Sequence, residues 1–318
     1  MLDLSIIIPL LNEEESLPEL NSWIYKVVTP LKIKFEIIYI DDGSSDNSWK
    51  VIQELSKNSL EVNAIRFRRN FGKSAALNCG FEKAKGNVVI TMDADLQDSP
   101  EEIPELMRMI NEESWDMVSG WKKKRFDPLG KTIPSKLFNR TARAVSGIKL
   151  HDFNCGLKAY NNEVIKNIEV YGEMHRYIPI LAKQAGFNKI GEKIVQHQER
   201  KYGETKFGME RFVKGYLDLL SVMFISKFGN RPMHLFGALG TLMFSIGFLS
   251  ALWLGLRKLY YVNVGIVAPL VVKSPYFHIS LVSMIIGTQL FMTGFLAELI
   301  SRTKTDRNKY QIKEVIEK

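Results

Sequence analysis

Cysteine is nearly missing from this chain. Cys79 and Cys155 are the only two in 318 residues and stand in no metal-ligand spacing. That excludes a disulfide framework and argues against a zinc site, so each reads as a small buried hydrophobe. Neither Gly-x-Gly-x-x-Gly nor Gly-x-x-x-x-Gly-Lys-Ser/Thr occurs, so phosphates bound here are not cradled by a glycine loop. The chain opens without a basic stretch leading into an apolar core, and no cleavable leader is expected. Internal repeats and low-complexity tracts are also missing.

What is present is charge of both signs, 25% of residues with a net +8. That is too mixed for disorder, and basic enough to expect an anionic partner. Up to about Phe207, short apolar runs alternate with amphipathic stretches, as in a parallel sheet covered by helices. Strands are expected over Leu4–Pro9, Phe35–Asp41, Val62–Phe67, Val88–Asp93 and Asp116–Gly120. Helices are expected over Glu13–Val28, Asp46–Lys57, Phe71–Lys85 and Pro100–Glu112, the last with Ser99 as N-cap.

Three of these strands end in polar clusters: Pro9 with Asn12 and Glu13, Asp41-Asp42-Gly43-Ser44, and Asp93-Ala94-Asp95. Asp, Gly and Ser favour turns for backbone reasons alone, which would explain one cluster. Three in register, at the carboxyl ends where open α/β sheets bind ligands, point to a shared crevice. Asp93 and Asp95 supply hard oxygen donors suited to Mg²⁺ or Mn²⁺ bridging protein and diphosphate, with Gln97 as a neutral third. Asp41 and Asp42 can accept hydrogen bonds from ribose hydroxyls or a base N–H.

The organisation changes near residue 208. Leu235–Leu256 is a run of 22 residues without a charge, and Phe277–Ile300 is a second apolar run interrupted only by His278 and Glu298. A bilayer core needs about 20 residues of helix. A buried helical hairpin is the weaker reading, because a soluble helix of that length keeps a polar stripe. Lys227 and Arg231 precede the first run, and Arg302, Lys304, Arg307 and Lys309 follow the second, so both flanks are expected on the cytoplasmic side. Before them, Met209, Phe212, Val213, Tyr216, Leu217, Leu220 and Phe224 form one face of an amphipathic helix. It suits a headgroup plane, although a last helix packed on the preceding domain has the same pattern. The expected division is 1–207 catalytic, 208–230 juxtamembrane, 231–302 spanning and 303–318 a basic tail. Anionic lipid and phosphate, rather than nucleic acid, then account for the basic charge.

Ile7-Ile8-Pro9-Leu10-Leu11-Asn12-Glu13-Glu14, Asp41 to Asp46, Asn70-Phe71-Gly72-Lys73, Asp93 to Glu101 and Gly203-Glu204-Thr205-Lys206-Phe207 together resemble the inverting family 2 glycosyltransferases of the GT-A fold. Within them the chain is similar to polyprenyl-phosphate glycosyltransferases related to dolichol-phosphate mannose synthase and bactoprenol glucosyl transferases. The resemblance runs through the soluble part, and the trailing spans match the bacterial members.

It implies that Pro9, Asn12, Glu13, Asp41, Asp42 and Lys73 surround the nucleotide sugar, and that Asp93, Asp95 and Gln97 hold Mg²⁺ or Mn²⁺ on its diphosphate. Lys122 and Arg125 stand where relatives carry arginines. Arg200 and Lys206 match an Arg-x-x-Gly-x-Ser-Lys signature in which Thr205 replaces the usual Ser, and Lys131 with Ser135 matches a lipid-phosphate pair. His151 to Lys158 resembles an acceptor-side Asp-x-x-x-Gly-Leu-Arg element with Lys158 in place of Arg. A phosphate acceptor has its second pKa near ~6 and needs little deprotonation, so Asp152 is expected to orient the acceptor rather than act as base. Asp95, Asp152, Arg200 and Lys206 are the expected catalytic set.

The implied activity is metal-dependent, inverting transfer of one sugar from a UDP- or GDP-sugar to a polyprenyl phosphate at the cytoplasmic membrane face, with self-association through the membrane region left open. A processive polysaccharide synthase would carry Gln-x-x-Arg-Trp, and no Arg-Trp pair occurs. A tethered nucleotide-sugar binder without catalysis would not need groups for two phosphates.

Overall fold

The computed structural model describes residues 2–123, 139–144, 146–172, 174–199, 201–202, 232–267, 270–303 and 312–316. They form two units: an α/β unit reaching Tyr202 that also takes in Ile312–Ile316, and a helical unit within Pro232–Thr303. The juxtamembrane segment 208–230 lies outside the described residues.

The α/β unit is built on one sheet of β1 (Leu2–Leu10), β2 (Phe35–Asp41), β3 (Val62–Phe67), β4 (Gly86–Thr91), β5 (Met117–Trp121), β6 (Lys158–Asn161), β7 (Ile190–Ile194) and β8 (Ile312–Ile316). Their spatial order is β7-β5-β6-β4-β1-β2-β3-β8. Parallel pairing links β4, β1, β2 and β3, and also β5 with β7. β6 runs antiparallel between β4 and β5, and β8 runs antiparallel on β3. The sheet is therefore mixed, with a parallel centre. Leu4, Ile6, Ile7, Ile8, Ile37, Tyr39, Ile40, Val88, Val89 and Ile90 are all fully buried. Burial on both faces explains why these strands read as unbroken apolar runs rather than alternating ones.

The covering helices are α1 (Leu17–Val28), α2 (Ser48–Asn58), α3 (Lys73–Lys83), α4 (Ile103–Asn111), α5 (Asn162–Asn167) and α6 (Ile178–Gln184). α1 starts four residues later than the sequence suggests. Asn12 has a positive φ of 57°, and residues 12–14 give their N–H groups to Ser44, Ser48 and Asp46 instead of to a helix. Ser99 does stand at the N-cap of a 3₁₀ turn, Pro100–Glu102, that leads into α4, but its hydroxyl makes no capping bond. β8 falls where a basic tail is expected. Its Glu314 accepts a hydrogen bond from the Trp49 indole at 2.8 Å.

At the opposite sheet end from the strand-end clusters, Glu36 is buried and accepts from the Ser5 hydroxyl (2.6 Å), Lys85 N–H (2.8 Å) and the Asn63 amide (3.0 Å). Glu36→Ala strands these donors in the interior, where each unsatisfied group is costly. Destabilisation of about 2–4 kcal/mol is expected, visible as a lowered melting temperature of the full chain in detergent.

The helical unit consists of α7 (Pro232–Asn263) and α8 (Pro275–Thr303). Both are long and apolar enough to cross a membrane, with apolar stretches of mean hydropathy 1.9 and 1.7 that are mostly uncovered. A core helix of a soluble domain would be mostly covered. The two pack closely through glycines: a Cβ on Gly240 would lie 2.6 Å from the Gly287 carbonyl oxygen, and one on Gly287 would lie 2.6 Å from the Phe244 nitrogen. Small residues at the contact, with Ser283 donating to the Met243 carbonyl at 2.9 Å, are how apolar helices associate in lipid.

Candidate active site

The register that aligns Leu10 with Asp41 and Ile7 with Thr91 brings the ends of β1, β2 and β4 to one rim. A cavity of about 360 Å³ opens there, lined by Pro9, Leu10, Glu13, Asp42, Asn70, Gly72, Lys73, Asp93 and Asp95 among others. Six of the residues expected from sequence thus share one wall.

The loops around it are fastened to each other. Asn12 faces Ser45, accepting its N–H at 2.8 Å, and lies off the wall. Asp42 accepts the N–H groups of Phe71 (2.7 Å) and Gly72 (2.9 Å), holding the turn that begins α3. Burial pushes its carboxyl up, against the pull of those two N–H groups. Asp41 departs from the sequence expectation. It is fully buried beneath the wall, accepting the Ser44 N–H at 2.8 Å and facing the Arg66 guanidinium at 3.3 Å. Adjacent strand residues point to opposite faces, so only one aspartate of the pair reaches the cavity.

Asp93 sits among cations. Burial disfavours its charge, but Lys73, Lys122 and Lys158 outweigh that and hold its carboxyl below the usual range. Lys73 pairs with Asp93 directly. Lys122 is turned instead to Asp98, which is fully buried, at 2.7 Å and does not line the cavity. Asp95 accepts the Gln97 N–H at 3.2 Å, while the Gln97 carbonyl accepts from Gln198 N–H. Gln97 is tied at both its N–H and its carbonyl, and it does not line the cavity.

Among the described residues no group of three or more His, Cys, Asp or Glu side chains could hold a metal ion. The wall carboxylates Asp93 and Asp95, with no sulfur or imidazole beside them on the wall, nonetheless fit Mg²⁺ or Mn²⁺. Such ions are commonly bound by one or two carboxylates, with substrate phosphates and water completing the shell.

Asp152 is buried, accepts the Asn154 N–H at 3.0 Å and does not line the cavity. Arg125, Lys131, Ser135, Arg200 and Lys206 lie outside the described residues.

The family model of glycosyl transferase family 2 matches residues 5–169. The chain is 36% identical over 309 residues to dodecaprenyl-phosphate galacturonate synthase of Rhizobium johnstonii, covering 95% of this chain and 88% of that one. The chain belongs to glycosyl transferase family 2. It is also 35% identical over 320 residues to undecaprenyl-phosphate 4-deoxy-4-formamido-L-arabinose transferase of Shewanella sediminis, across 98% of this chain and 92% of the relative. Among solved structures, glucosyl-3-phosphoglycerate synthase of Mycobacterium tuberculosis in complex with Mn²⁺ and uridine-diphosphate-glucose matches with a TM-score of 0.53 at 16% identity, covering 71% of this chain and 79% of that one. That likeness establishes the GT-A fold.

Several contacts around this family 2 site are not apparent from sequence alone. Gly156 backs Asp93 so closely that a Cβ there would meet its carboxylate at 2.5 Å. Lys158 is buried and donates to the Cys155 carbonyl. Its ammonium is pulled below the usual lysine range chiefly by burial, with Lys73 adding to the effect. His175 meets the Ser74 hydroxyl through its backbone N–H (2.9 Å) and Nδ1 (3.1 Å). Burial, then Lys73 and Arg176, drives it down to about 3, so it stays a neutral buttress for the start of α3. The Gly156–Asp93 and His175–Ser74 partners lie tens of residues apart, and no local motif announces those contacts.

Proposed function

We propose that the chain transfers a single sugar from a nucleoside diphosphate sugar to a polyprenyl phosphate, with inversion, at the cytoplasmic face of a membrane. The observation that carries this reading is a carboxylate-walled cavity in a GT-A unit whose chain continues into two apolar helices. Relatives similar over nearly the whole chain are named for polyprenyl-phosphate sugar transfer. The uridine nucleotide of the fold relative makes UDP-sugars the first donors to test, with GDP-sugars second.

In this reading Asp93 and Asp95 hold a divalent cation, which when bound neutralises charge on the leaving nucleoside diphosphate. Lys73 and the start of α3 face the same diphosphate, since helix N-termini favour anions. Pro9, Glu13, Asp42 and Asn70 bound the remaining space for nucleoside and sugar. Arg125, Lys131, Ser135, Arg200 and Lys206 are assigned to the phosphates by the family pattern, and anionic lipid accounts for the basic juxtamembrane charge. The acceptor phosphate is already largely dianionic at neutral pH. Asp152→Asn is accordingly expected to keep at least about a tenth of wild-type kcat above neutral pH, since general-base assistance is worth 10²–10⁴-fold only where a proton must be removed. Loss of turnover at every pH with the fold intact would make Asp152 the base.

The direct test uses the full chain in detergent with UDP- and GDP-sugars, with and without undecaprenyl phosphate. Nucleoside diphosphate release that requires the lipid phosphate and yields a one-sugar product supports the proposal. Polymer formation would indicate a processive synthase, and binding without release a tethered binder.

Orientation follows from the basic residues flanking the two helices. A cysteine introduced at Asn308 is expected to resist membrane-impermeant reagents added from outside the cytoplasmic membrane, and labelling from that side would reverse the assignment.

A further inference from the structure

Of the three lysines acting on Asp93, two are fixed elsewhere. Lys122 is paired with fully buried Asp98, and buried Lys158 donates to the Cys155 carbonyl. Lys73 is different. It is the first residue of α3, lines the cavity, and has its ammonium on Asp93 Oδ1 with about a third of its side chain exposed. That oxygen belongs to one of the two wall carboxylates suited to a divalent cation. A compact ammonium and a divalent ion cannot both lie against one carboxylate without strong like-charge repulsion. Four flexible carbons let the ammonium move, and the α3 N-terminus beside it is a favourable place for an anion.

We propose that Lys73 is an exchangeable counter-ion: it competes with the divalent cation for Asp93 and passes to the diphosphate when the nucleotide arrives. Resting on the two-carboxylate cation reading above, this makes metal and nucleotide binding strongly cooperative. The metal alone meets an occupied carboxylate. The metal with a diphosphate finds Asp93 released, because the diphosphate takes up the ammonium and supplies oxygen ligands of its own. By linkage, UDP tightens the metal by the same factor as the metal tightens UDP.

The test follows Mn²⁺ binding to the full chain in detergent by electron paramagnetic resonance of the free ion, with and without UDP. In wild type, UDP should tighten Mn²⁺ by about tenfold or more, within the usual range of coupling between sites. Lys73→Met should bind Mn²⁺ alone about tenfold more tightly than wild type, and UDP should add much less to it. Lys73→Arg, which keeps a cation on Asp93 and preserves the pairing if the methionine variant fails to fold, should bind Mn²⁺ alone no more tightly than wild type. Equal or weaker Mn²⁺ binding by folded Lys73→Met, or tighter binding by Lys73→Arg, overturns the exchange and leaves the cation reading standing. If Mn²⁺ binds none of the proteins even with UDP, both readings fall.

Discussion

Asp95→Asn is expected to lower kcat by about 10²–10³-fold, the loss typical when a preorganised electrostatic group is removed from a reacting site, while the protein stays folded. The structural reason is that the charge and the fold separate at this position. The carboxylate accepts the Gln97 N–H at 3.2 Å, and an asparagine side-chain oxygen can accept the same bond. What the amide lacks is the negative charge that makes Asp95 a hard anionic donor beside Asp93. Turnover measured at saturating donor and lipid phosphate, with circular dichroism on the same sample, decides the matter. Wild-type turnover in this variant, or in the presence of EDTA, removes the metal assignment.

Gly156→Ala is expected to cost about 10²-fold in kcat, the penalty of misplacing a catalytic group by roughly 1 Å. The new Cβ would stand 2.5–2.8 Å from all three carboxylate atoms of Asp93. Gly156 itself has little room to retreat, because its carbonyl is held by the Thr91 hydroxyl at 2.9 Å. The Asp93 side chain, about a third exposed, must therefore be the part that moves. It moves toward the cavity and off its alignment with Asp95. A variant that folds normally and turns over like wild type would show that Asp93 tolerates displacement, and hence that its position is not critical.

The central sheet was legible because burial on both faces leaves unbroken apolar runs in β1, β2 and β4, and because ligand-facing residues collect where those runs stop. Other strands gave weaker signals. β6 has only four residues, β7 mixes Glu192 and Lys193 into a half-exposed strand, and β8 places Lys313 and Glu314 among three apolar residues inside a lysine-rich stretch. The start of α1 departs from the local pattern for a different reason. Residues 12–14 spend their N–H groups on the 44–48 loop, a long-range choice that local pattern does not carry.

In the site, Pro9, Glu13, Lys73, Asp93 and Asp95 were found from the strand-end rule and the family resemblance, but the division between Asp41 and Asp42 was not. Neighbouring aspartates at a strand end are equivalent in sequence, and only the pleat tells which one meets Arg66 and which one the cavity. Gly156 was visible as part of a motif, whereas its contact with Asp93 depends on β6 running antiparallel beside β4.

The pairing of β8 with β3 has a consequence for how the molecule is made. β3 lies next to the last strand in the sheet order, yet its partner comes from residues 312–316, synthesised after both apolar helices. Until then β3 presents an unpaired edge, the kind of surface that recruits stray strands from other chains. Ribosomal order puts α7 and α8 between the two partners, so the edge is sealed only after both apolar helices have been produced. Chains cut short before residue 312 should therefore expose a sticky strand, and completion of the sheet marks a chain whose helical unit has already been made.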